Sequence, residues 1–247
     1  MDLCPPARSF WNRCLRFVRY IGRHERPVML LILFVSLASW GFAEIADEVM
    51  EGETAGVDER ILLALRNPEN HAEPWGPPMV EEMARDITGL GGTVILGGLS
   101  IAAAGYLALR GKHRAMVFLL GAIGGGIVAS SLLKMGFDRP RPDLVPHGSL
   151  VYTASFPSGH SMMSAVTYLT LGALLAKVES RRAIRAYILM LAAMVTFLVG
   201  VSRIYLGVHW PTDVLAGWSV GAAWAAGCWT IANLLQRRGT MEGHAET

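Results

Sequence analysis

Three short stretches of this chain carry residue types that could act together on an anion. The last of them reads Ser202-Arg203-Ile-Tyr-Leu-Gly-Val-His209-Trp-Pro-Thr-Asp213. His209 and Asp213 are four apart, so on a helical backbone they share a face. A carboxylate behind an imidazole fixes its tautomer and raises its basicity. The middle stretch is Phe156-Pro157-Ser158-Gly159-His160, at the head of an apolar run. Backbone N–H groups at a helix start favour an anion, and glycine allows it to come close. The first stretch, Lys134-Met-Gly-Phe-Asp-Arg-Pro-Arg141-Pro142, offers Lys134 and Arg141 to join Arg203 as cations, with Arg139 between them. Arginine suits bidentate contact with phosphate oxygens. With His160 and His209, the parts are present to hold a tetrahedral oxyanion, attack it and protonate what leaves.

These residues need elements to bring them together, and the composition says which. Of 247 residues, 52% are hydrophobic and 17% charged, against roughly 25% charged in a soluble domain. The apolar residues gather into runs of membrane-spanning length. The runs cover Val28–Ala46, Ile87–Leu109, Ala115–Leu133, His160–Ala176, Ala186–Val201 and Val214–Leu235. The first run continues past the small residues Ser36-Leu-Ala38 behind a long polar head, which argues for a span rather than a signal-peptide core. The fold expected is all-α, a polytopic bundle of six transmembrane helices with short interfacial helices. A basic segment 1–27, with aromatic residues among its arginines, precedes the membrane domain 28–235, and a short tail 236–247 follows it. Residues 47–86 are acidic and broken by Pro74, Pro77 and Pro78. Within them Val57, Ile61, Leu62 and Leu65 recur at helical spacing, which predicts a short amphipathic helix on the membrane or capping the spans. Glycines of the second run, and Gly124-Gly-Gly126 in the third, predict close helix packing.

Charge placement orients the bundle. With the N-terminus inside, the inner segments hold 15 Lys and Arg and the outer ones 7 of the chain's 22, a bias that predicts N-in/C-in topology. All three chemical stretches then fall on the extracytoplasmic face. Singly, Lys134 or Arg203 would read as a snorkelling anchor, His160 as a cap, and Asp213 as a helix-start residue complementing the dipole. Arg139 stands beside Arg141 as a neighbour. His147 reads as a surface histidine, and Trp210 and Trp218 as interfacial belt residues. Cys4, Cys14 and Cys228 form no metal-ligand spacing and no disulfide framework. Repeats and nucleic-acid modules are absent from the pattern.

In order and spacing, Lys134…Arg141-Pro142, Pro157-Ser-Gly-His160 and Ser202-Arg203…His209…Asp213 resemble the type-2 phosphatidic acid phosphatase superfamily, which includes vanadium haloperoxidases and glucose-6-phosphatase. The motifs span residues 134–213, and the six runs extend the likeness to about 28–235. The resemblance implies an integral membrane lipid phosphatase or diphosphatase with the bilayer and a lipid phosphate as partners. Its substrate classes would be undecaprenyl diphosphate, phosphatidic acid, phosphatidylglycerophosphate or lipid A. It implies His209 as the nucleophile forming a phosphohistidine, Asp213 as its orienter and His160 as general acid. Lys134, Arg141, Arg203 and the Ser158-Gly159 turn would bind the phosphoryl oxygens, with no metal and no cofactor. It places the protein in a bacterial inner membrane, with the site facing the periplasm. A phosphotransferase using the same intermediate, or a non-catalytic lipid-binding or transport relative, would share the fold; the intact His160, His209 and Asp213 favour the enzyme.

Overall fold

The computed structural model describes residues 26–143 and 154–242. Segment 1–27, apart from its last two positions, lies outside the described residues, as do His147 and the end of the tail. Eight helices follow in order among those described: α1 (Arg26–Glu51), α2 (Ala55–Ala64), α3 (Pro78–Gly89), α4 (Thr93–Leu109), α5 (His113–Gly136), α6 (Gly159–Val178), α7 (Arg182–Tyr205) and α8 (Pro211–Glu242). The architecture is all-α; an isolated bridge between Arg66 and Pro74 is its nearest approach to a sheet among those residues.

Five helices, α1 and α5 to α8, are long and apolar enough to cross a membrane. The second expected span, Ile87–Leu109, is not one helix. It is divided into α3 and α4, which pass the same test only as a pair bent by 44°. The break falls on Leu90-Gly91-Gly92. A Cβ on Gly91 would lie 2.4 Å from Val199 Cγ1 and 3.4 Å from His160 Cδ2, so glycine there lets the chain close onto α7 and α6. Within the break, the Leu90 carbonyl accepts a hydrogen bond of 2.8 Å from the Tyr168 hydroxyl.

Helix α6 is the centre of the bundle. It packs against α4, α5, α7 and α8, and half of its apolar window is buried, against 6% for α1. Helix α8 meets it through Gly217 and Gly221, a small-xxx-small pair. A Cβ at Gly221 would sit 2.6 Å from the Met162 carbonyl oxygen, and one at Gly217 2.7 Å from the Ser158 oxygen. The expected close packing of the glycine-rich third span holds at Gly125 and Gly126, where Trp224 and Val166 press in, but not at Gly124. It fails at Gly97, Gly98 and Gly105 of α4, which face open space. Trp218, expected in an interfacial belt, is a packing residue instead. Its ring stacks on Phe197, its Nε1 donates to the Thr196 carbonyl at 3.1 Å, and it covers Gly200.

The amphipathic helix expected in 47–86 is α2, but its faces are arranged otherwise. Leu62 and Asp58 are fully buried, while Val57 and Ile61 are 46% and 44% exposed. The segment after it is fastened to the end of α7. Arg66 Nη2 donates to the Tyr205 carbonyl at 2.7 Å, and the Tyr205 hydroxyl donates to the Trp75 carbonyl at 2.9 Å.

Candidate active site

The sequence between α7 and α8 folds into two consecutive helix caps. Gly207 has φ +70°, which a residue with a Cβ adopts at a cost. Its N–H bonds the Ile204 carbonyl at 2.9 Å and the Val208 N–H bonds that of Arg203 at 3.2 Å. This is the Schellman arrangement that ends a helix. It turns the chain back so that His209 follows directly on the last turn of α7. Pro211 then opens α8 at a position where its missing N–H costs nothing. Asp213, in the third place of α8, reaches back to accept the Trp210 N–H at 2.9 Å, as the third residue of a capping box does. The carboxylate is thereby presented to His209.

Asp213 is fully buried, and its charge is met from several sides. Oδ1 accepts from Arg139 Nη1 at 2.7 Å. Oδ2 accepts from the Ser155 hydroxyl at 2.5 Å and lies 3.4 Å from His209 Nδ1. Such charge-assisted bonds are the strong ones, and they offset the cost of a buried carboxylate. On the far side of the ring, Arg141 Nη1 lies 3.1 Å from His209 Nε2. A guanidinium can only donate, so Nε2 accepts and the proton of the neutral ring sits on Nδ1, toward Asp213. His209 is 1% exposed. Burial is the main cause holding its pKa below the usual 6.5, to about 4; Asp213 opposes that shift, and Arg203 and Arg141 add to it. At neutral pH the ring is therefore uncharged, with a lone pair on Nε2.

The remaining residues singled out by the sequence lie at the same end of the bundle. Lys134, at the end of α5, donates from Nζ to the Ala154 carbonyl at 3.2 Å, and its side chain lies over Gly159, where a Cβ would meet Cε at 3.3 Å. Arg141 also donates to the Val208 carbonyl at 2.8 Å. Arg203, at the end of α7, is 5% exposed, and its Nε has no hydrogen-bond partner among the described residues. His160 stands in the first turn of α6, within electrostatic reach of Arg203, His209, Lys134 and Arg141. Ser158 differs from expectation in detail. Its hydroxyl caps α6 by accepting from Ser161 N and Oγ, at 3.4 and 3.0 Å. Its N–H is engaged by the Asp213 carbonyl at 2.9 Å. That leaves the first-turn amides of Gly159 and His160, which a helix cannot satisfy internally, as the backbone donors of this turn. Among the described residues no group of three His, Cys, Asp or Glu side chains could hold a metal ion. The ends of α5 and α7 and the starts of α6 and α8 thus converge at one end of the bundle.

Sequence reasoning missed Ser155 and Asp58, and left Arg139 as a helping neighbour of Arg141 with no role of its own. Asp58 accepts from Arg139 Nη2 at 2.7 Å and from Thr212 N and Oγ1 at 3.0 and 2.6 Å. One signal was available: Thr54 at the start of α2, then Asp58 and Leu62 within it, recur four apart, a polar stripe ending on a core leucine.

Comparison with known proteins agrees with the geometry. The family model described as PAP2 superfamily matches residues 115–237. A phosphatidylglycerophosphatase B of Bacillus subtilis is 33% identical over 202 residues, 79% of this chain and 89% of that protein. The chain belongs to the PAP2 superfamily. A crystal structure of a transmembrane PAP2-type phosphatidylglycerolphosphate phosphatase from Bacillus subtilis superposes with a TM-score of 0.70 at 28% identity, covering 81% of this chain and 96% of that one. An undecaprenyl-diphosphatase of Sulfolobus acidocaldarius is 38% identical over 68 residues, 28% of this chain and 29% of that protein. The structure of LpxE from Aquifex aeolicus gives a TM-score of 0.50 at 25% identity, over 69% and 91% of the two chains. The PAP2 member described here is an integral membrane protein and a lipid phosphatase.

Proposed function

We propose that this PAP2 phosphatase hydrolyses a lipid phosphate through a phosphohistidine on His209, at the extracytoplasmic face of a bacterial inner membrane. The observation that carries the reading is the ring of His209, with Nδ1 toward Asp213 and the Nε2 lone pair facing Arg141. Nε2 attacks phosphorus, and the N–P bond forms as the P–O bond to the lipid breaks. The leaving oxygen takes a proton from His160. The positive charge gained by His209 is met by Asp213 through Nδ1–H. Water then attacks the phosphohistidine, giving a proton back to His160. Inorganic phosphate leaves and His209 returns neutral. Lys134, Arg141 and Arg203, with the amides of Gly159 and His160, hold the phosphoryl oxygens as charge shifts between them. The unpartnered Arg203 Nε supports that role, since a buried donor without an acceptor is costly.

Four substrate classes fit a cationic site among apolar helices: phosphatidylglycerophosphate, phosphatidic acid, undecaprenyl diphosphate and lipid A. Phosphatidylglycerophosphate stands first, because the relative matched over most of its length carries that name. Purified protein in detergent, given each lipid in turn, decides the order by phosphate released. Rapid acid-free quenching with radiolabelled phosphatidylglycerophosphate should trap phosphoprotein in the wild type and none in His209→Ala. His160→Ala should slow turnover of poor leaving groups more than good ones. An equal effect on both would remove the general-acid role.

A further inference from the structure

The buried charges behind the site do not end at Asp213. Arg139 forks between two carboxylates that are both fully buried: Nη1 meets Asp213 Oδ1 and Nη2 meets Asp58 Oδ2, each at 2.7 Å. The same Nη1 donates to the Thr212 hydroxyl at 2.7 Å, which passes its own proton bond to Asp58. The Arg139 side chain is 13% exposed and lies 5.6 Å over the Trp210 ring. Asp58 comes from α2, outside the residues that the family model matches. It also holds the second N–H of α8.

The charge balance of this chain of contacts has a consequence. Arg139 bonded to Asp213 alone would neutralise the carboxylate that must meet the positive charge on His209. A second buried carboxylate on the same guanidinium leaves the trio Asp58, Arg139 and Asp213 with one net negative charge. Arg139 then fixes the position of Asp213 without cancelling its field. We propose that Asp58 and Arg139 are positioning residues that set the basicity of His209 through Asp213, with Asp58 serving as counter-charge to Arg139. The proposal rests on His209 being the nucleophile.

The charged groups around His209 come from every neighbouring element: Asp213 from α8, Arg203 from α7, Lys134 from α5, His160 from α6, Arg139 and Arg141 from the 137–143 loop, and Asp58 from α2. The trio is therefore one contribution among several, and its sign is what discriminates. Asp58→Asn keeps the shape and one acceptor for Thr212 but removes a negative charge. Protonated His209 is then disfavoured, and the acid limb of kcat/KM moves to lower pH, by about half a unit. kcat falls about ten-fold, as for other outer groups that orient a reactive one, with KM little changed. Arg139→Gln removes a positive charge and moves the limb to higher pH. The double variant Asp58→Asn/Arg139→Gln restores the net charge and returns the limb to the wild-type position.

A merely structural staple would lower thermal stability in all three variants without opposite shifts. Limbs that do not move, or move in the same direction, overturn the proposal. If Asp58→Asn does not fold, the upward shift in Arg139→Gln alone decides. The same series includes His209→Ala. Activity surviving in that variant overturns the nucleophile reading itself, whereas unmoved limbs with an inactive His209→Ala overturn only the role of Asp58 and Arg139.

Discussion

The two halves of the molecule bury different things. From α5 to α8, the helices meet through glycines and small residues, and the buried His209, Asp213, Arg203 and Ser155 gather at one end. From α1 to α4, the helices leave large apolar side chains outward, such as Trp40, Ile101 and Leu109, and mostly cover the others. Helix α1 lies along α8. Its Phe42 joins Phe137 and Phe156 in an aromatic cluster behind the 137–143 loop. The first half thus supports the second from behind and sends in one carboxylate, Asp58. What this teaches is that a reactive centre on four helix ends needs backing on its outer side, and that the backing can carry charge.

That contrast is open to test, beginning with the largest effect. His209→Ala should lower phosphate release by more than about a thousand-fold while the purified protein keeps its elution position and thermal midpoint. Activity comparable to wild type would put the chemistry elsewhere. Gly221→Val should be nearly as damaging by another route. Its side chain must displace the Met162 carbonyl, and overpacking of this kind costs about 1–3 kcal/mol or more. The thermal midpoint in detergent should drop by several degrees; an unmoved midpoint would mean that α6 and α8 are free to separate.

Acid should weaken the second half through the same histidine. The folded pKa of His209 is about 4 against 6.5 in the unfolded chain. Between those values the unfolded state binds a proton that the folded state does not. The stability contribution is complete above pH 6.5 and is lost as pH falls toward 4. Thermal midpoints at pH 7 and pH 5 should differ more in wild type than in His209→Gln, and equal differences would count against a neutral buried ring. The smallest effect belongs to the first half. Val57→Ser, on the outer face of α2, should leave activity and thermal midpoint within error, since isolated surface changes are usually worth less than about 0.5 kcal/mol.

The parts of this architecture that follow from local spacing were legible beforehand. Lys134 and Arg141, Ser158 to His160, and Arg203 to Asp213 each lie within a dozen residues of one another, and the caps that position them are written in Ser158, Gly207 and Pro211. Apolar length gave five of the spans. The break at Leu90–Gly92 was not legible, because a glycine-rich apolar run reads the same whether straight or bent; only the approach of Val199 and His160 to Gly91 shows why it bends. Asp58 was hidden for a related reason. Its partners Arg139 and Thr212 are 81 and 154 residues away, and no periodicity connects them. Trp218 misled because an amphipathic ring suits a membrane interface and an interhelical groove equally well.

The backbone contact of α6 with α8 at Gly217 and Gly221 sets a limit on how this enzyme can vary. His160 heads one of these helices and His209 lies just before the other, so the gap between the two histidines is gauged by main chain lying on main chain. Side chains on the lipid-facing surfaces do not enter that dimension. Substitution there can adapt the protein to a different acyl chain or bilayer thickness while the reaction geometry stays fixed, so substrate range and chemistry can evolve on separate surfaces of the same two helices.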